Sequence, residues 1–104
     1  MSDYLLSNFR NLETQDHEVL RNINLSENDV LTRVEDQRVR LTNLSKAMSL
    51  AKSKNLKTYL TIKDASGNLH KFQLNITGFN SQVAFTQDGF HIPLKCIFSV
   101  DFLP

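Results

Sequence analysis

Two apolar series flank the stretch Asn24-Leu25-Ser26-Glu27-Asn28-Asp29, and both step by alternating fours and threes. Reading backwards, the first runs Ile23, Val19, Asp16, Leu12, Phe9, Leu5. Reading forwards, the second runs Val30, Val34, Gln37, Leu41, Leu44, Met48. This spacing is the a/d seam of a heptad repeat. Paired outward from the stretch, Ile23 faces Val30, Leu12 faces Leu41, and Asp16 faces Gln37. The pattern predicts an antiparallel, coiled-coil-like helical hairpin over residues 2–55. In it, Asp16 and Gln37 form one polar layer that sets the register at a cost in stability.

Local signals agree with two helices. Ser2 is a candidate N-cap for the first. Ser26 is the candidate N-cap of the second, with Asp29 three residues on and Leu25 and Val30 placed as a hydrophobic staple. The second helix is expected from Glu27 to Ser53, with no Gly or Pro inside it. One weakness stands in the first helix: Thr14-Gln15-Asp16-His17 contains no apolar residue, which permits a break.

From Leu56 the period changes from helical to alternating. Thr58, Leu60 and Ile62 alternate with Tyr59, Thr61 and Lys63, and Phe72, Leu74 and Ile76 alternate with Lys71, Gln73 and Asn75. Val83 and Phe85 mark a third strand. Asp88-Gly89 is a hairpin turn signal. Phe90 and Ile92 form a short fourth strand ended by Pro93, and Cys96, Phe98, Val100 and Phe102 form the fifth. The fold class read from the sequence is therefore α+β: the hairpin, then a small five-stranded antiparallel sheet or SH3/Sm-like barrel over residues 56–104.

The second half resembles the small-barrel superfamily of Sm-like proteins and the RNA chaperone Hfq. The run Ile76-Thr77-Gly78-Phe79-Asn80 resembles the bent second strand of that family. The run from Gly89 to Val100 resembles its second motif, with Ile92, Pro93-Leu94, Ile97 and Val100 in the patterned positions. The break is Pro93-Leu94 in place of Arg-Gly, and Lys95-Cys96 stands where Hfq has Lys-His. The resemblance implies a barrel architecture, and it makes Asn80 and Lys95 the nearest matches to the family's RNA-contacting loops.

Charge bears on partners through its distribution. The formal net charge is only +1, but residues 31–57 hold seven bases against two acids and residues 1–30 six acids against two bases. Arg33, Arg38, Arg40 and Lys46, with Asn80 and Lys95, are the candidate nucleic-acid-binding residues. A solvated face that also pairs with the acidic first segment is the preferred reading of the same bases.

Catalytic and metal signatures are sparse. Cys96 is the one cysteine, so neither an intrachain disulfide nor a cysteine metal cluster is expected. His17, His70 and His91 lack metal-ligand spacing. Ser49-Leu50-Ala51-Lys52 matches S-x-x-K without its companion motifs. No cofactor is expected. No signal peptide or long apolar run is evident, so the expected location is cytoplasmic, without membrane or metal. The sequence thus predicts a non-enzymatic interaction or assembly module that self-associates or binds a protein partner. The alternative is a small-barrel nucleic-acid-binding regulator that uses the basic second helix.

Overall fold

A computed structural model describes residues 12–53 and 57–103. The helical hairpin is not formed. Among the described residues the first helical segment is one short element, α1, over His17–Asn22. Asp16 stands at its N-cap, where its side chain accepts from Glu18 N at 3.1 Å. The apolar-free stretch before it is not helical: Thr14 bridges Lys71, and Asp16 starts α1. At the other end Ile23 turns extended, with φ −74° and ψ 137°. The expected Ser2 cap and the seam positions Leu5 and Phe9 lie outside the described residues.

From Asn24 to about Val30 the chain is a strap laid over the sheets. Ala65 N donates to Asn24 O at 2.8 Å, and Leu25 bridges Asp64 in antiparallel fashion. Val30 N donates to Lys95 O at 2.8 Å. Ser26 caps no helix: its Oγ donates to Asn28 O and accepts from Asn28 N, closing a local turn. The second helix, α2, starts later than expected and spans Val34–Ser53. Apolar side chains of the strap meet the sheets, with Leu25 packed against the core, so among the described residues the coiled-coil seam has no partner helix to fill it. The Asp16–Gln37 layer is absent, because Asp16 caps α1 and Gln37 Nε2 donates to Leu31 O at 2.8 Å.

The single five-stranded sheet or barrel is also corrected. Among the described residues six strands form two three-stranded antiparallel sheets, ordered β2-β1-β6 and β3-β4-β5. They are β1 Lys57–Lys63, β2 Leu69–Gln73, β3 Ile76–Phe79, β4 Val83–Thr86, β5 His91–Pro93 and β6 Ile97–Leu103. The expected second strand divides at Leu74-Asn75. Leu74 N still donates to Thr58 O of β1, while Asn75 O already accepts from Gln87 N beside β4. Buried Phe72, Leu74 and Ile76 keep one alternating phase through this bend. The expected last strand begins one residue later, at Ile97, because Leu94–Cys96 forms a 3₁₀ turn before β6.

Turn chemistry explains the hairpins. Asp64 Oδ1 accepts from Ser66 N and Asn68 N, both at 2.9 Å, and Gly67 follows at φ 90°. Gly89 takes φ 89° in the turn between β4 and β5, a conformation that suits glycine.

One apolar cluster joins the elements. It includes Leu20 of α1, Leu44 and Ala47 of α2, Leu60, Ile62 and Phe72 of β1 and β2, and Ala84, Ile92, Ile97 and Val100 of the remaining strands. Cys96 is fully buried in it. The cluster lies between α2 and the sheets, so among the described residues α2 is held by one face.

Candidate interaction surface

The face of α2 turned to the sheets carries Arg40, Leu44 and Ala47, spaced by four and three residues as one helical stripe requires. Arg40 is only 6% exposed, and a buried guanidinium needs a counter-charge. Asp29 supplies it from the strap. Arg40 Nη1 donates to Asp29 Oδ1 at 2.9 Å and Nη2 to Asp29 Oδ2 at 2.7 Å, while Nη1 also donates to Ile97 O at 3.1 Å. Leu31 N donates to the same carboxylate at 2.8 Å. Burial works against ionisation of Asp29, but the Arg40 hydrogen bonds, the Leu31 N–H and the Arg40 charge outweigh it. Its carboxyl is held below the ordinary carboxylate value.

Two open grooves run beside this spine. One, of about 500 Å³, lies between α2 and β6, with Val30, Leu31, Val39, Phe98 and Val100 among its walls. The other, of about 640 Å³, lies on the opposite flank, with Gln37, Leu41, Val83, Pro93 and Lys95 among its walls. Val39 and Leu41 thus stand at the rims of different grooves. They are 56% and 41% exposed, and Val34 at the start of α2 is 60% exposed. Among the described residues these three are the exposed large hydrophobic side chains, and all belong to α2.

The bases singled out in the sequence do not meet at one place. Arg33 is exposed and paired with Glu35 at 3.0 Å. Arg38 and Lys46 are exposed on α2. Arg40 is committed to Asp29 inside the fold. Asn80 Oδ1 accepts from Gln82 N and Val83 N, both at 2.8 Å, and so shapes the turn before β4. Lys95 is exposed beside the Leu41 groove.

Two histidines fasten the N-terminal segment, and sequence spacing did not reveal them. His70 Nδ1 faces Gln15 Oε1 at 2.7 Å and its Nε2 faces Asp64 Oδ2 at 2.8 Å. His17 Nε2 faces Gln73 O at 2.9 Å and its Nδ1 faces Asp88 Oδ2 at 3.0 Å, with Phe90 edge-on to the ring. Their partners lie 55 and 56 residues away in the chain for Gln15–His70 and His17–Gln73, so no local motif signals them.

Neither histidine has a nucleophile among its bonded partners. Burial pushes the Cys96 thiol up, against the weaker opposing effects of a Ser26 backbone hydrogen bond and the Lys95 charge. A thiol so placed is a packing group. Among the described residues no group of three or more His, Cys, Asp or Glu side chains is placed to hold a metal ion. No described helix is long and apolar enough to cross a membrane.

Comparison with known proteins returns no matching family model, no matching curated protein and no matching solved structure.

Proposed function

We propose that this chain is a non-enzymatic interaction module that self-associates, with α2 as its contact surface. The observation that carries the reading is the placement of Val34, Val39 and Leu41, three exposed large aliphatics on one helix. Isolated exposed aliphatics are ordinary on a soluble surface. Here they sit on an element anchored, among the described residues, by one buried face, and two of them border grooves of mixed apolar and polar lining. Covering a Val or Leu side chain completely contributes about 1.5–3 kcal/mol. Since these three are already partly covered, each supplies a fraction of that, and the groove walls supply the rest of a contact.

Light scattering at micromolar concentration tests the reading. The expected result is a mass above the 11.9 kDa of one chain. A one-chain mass throughout that range would remove it.

A further inference from the structure

We infer that His17 is a protonation-dependent latch, which fastens the N-terminal segment to the sheets through both ring nitrogens when protonated and through only one when neutral. The inference is independent of the self-association reading. Its partners carry it. Nε2 lies 2.9 Å from Gln73 O at the end of β2, and Nδ1 lies 3.0 Å from Asp88 Oδ2 in the turn between β4 and β5. A backbone carbonyl and a carboxylate accept and cannot donate. The imidazolium donates from both nitrogens, whereas a neutral imidazole donates from one and turns a lone pair toward the other oxygen. Gln73 belongs to one three-stranded sheet and Asp88 to a turn of the other, so the protonated ring clips α1 to both.

His70 differs in its partners. Its Nε2 faces Asp64 Oδ2, but its Nδ1 faces the side-chain amide of Gln15, which can present either its oxygen or its NH2. His70 can therefore keep both contacts in either state. The charged groups around His17 suit a cation. Asp16 and Glu18 flank it on α1, and Asp88 faces it. Against these three carboxylates stands Arg21, whose guanidinium lies 5.4 Å from the centre of the Phe90 ring that His17 meets edge-on. Lys71 of β2 turns its ammonium onto the Tyr59 ring, 5.0 Å from its centre. The His17 side chain is 38% exposed and that of Asp88 52%, so solvent reaches the ring and the contact is modest in strength. Leu20 stays in the core and Gln15 N donates to Lys71 O in either state, so loss of the proton loosens the segment without expelling it.

Amide hydrogen exchange of the full chain, corrected for the intrinsic pH dependence of exchange, reads the latch. The reporters are Gln15 and Val19, whose N–H groups donate to Lys71 O and Asp16 O. From about pH 6 to about pH 8, across the range where histidine side chains change charge, their protection is expected to fall about threefold relative to the amides of β1. In His17→Gln the fall is expected to vanish, because glutamine does not titrate. In Asp88→Asn it is expected to shrink, because an asparagine amide can donate to the neutral ring. Both side chains are open to solvent, so the variants keep the fold, which circular dichroism checks. Native protection that is constant across this range would overturn the latch. A fall of native size in either variant would overturn it too, by assigning the titration to another group.

Discussion

Arg40 grips Asp29 with both terminal nitrogens, at 2.9 and 2.7 Å, and so ties the middle of α2 to the strap eleven residues earlier. The pair joins the strap, α2 and, through Ile97 O, the start of β6. Breaking a buried pair from one side leaves the other charge unpaired, which costs about 3–5 kcal/mol when both groups are fully buried. Asp29 is 30% exposed, so the lower end applies. Asp29→Ala should lower Tm by roughly 10 °C or more, read by thermal unfolding. A shift of a degree or two would show that the pair does not hold α2 in place.

Acid should weaken the fold through two carboxylates. Asp29 is held below its ordinary value as described above. Asp64 is held below it chiefly by the His70 hydrogen bond, with burial opposing and the Asn68 and Ser66 N–H groups assisting. A depressed folded value means the unfolded chain binds protons first as pH falls. Their contribution is therefore complete above the unfolded carboxylate value near about 4 and is lost progressively below it. Urea midpoints between about pH 6 and pH 2 should fall in the acid range, and Asp64→Asn should flatten that fall. An equally steep fall in the variant would assign the acid sensitivity to other groups.

Thr61 carries the opposite kind of prediction. It lies in β1, fully buried, and its Oγ1 has no hydrogen-bond partner. A buried hydroxyl without a partner costs about 1–3 kcal/mol. Thr61→Val keeps the shape and the strand preference while removing that oxygen. The variant should unfold several degrees higher. A lower Tm would show that the hydroxyl is satisfied in solution.

The strands were legible because Leu60, Ile62, Phe72 and Leu74 alternate as buried apolar positions, even though Thr61 and Lys71 are buried between them. The division at Leu74-Asn75 was not legible, because Phe72, Leu74 and Ile76 stay in phase across the bend and a period of two carries no record of it. The helices were half legible. Leu44 is buried as the seam requires, but Val34 and Leu41 are exposed. A heptad spacing specifies which residues seek cover, not what covers them. Strap residues such as Leu25 find it on the sheets. The warning lay in Thr14–His17 and in Asn22, Asn24 and Asn28, residues that favour caps and turns over helix interiors. As for the candidate site, the sequence marked Arg40 and Leu41 for other roles. The Asp29–Arg40 pair and the two histidine contacts depend on tertiary placement, which local spacing does not encode.

Sedimentation equilibrium of the native chain across low to high micromolar concentrations tests self-association most directly. The expected apparent mass rises with concentration from 11.9 kDa toward that of two chains. A single ideal species of one-chain mass at every concentration would contradict it.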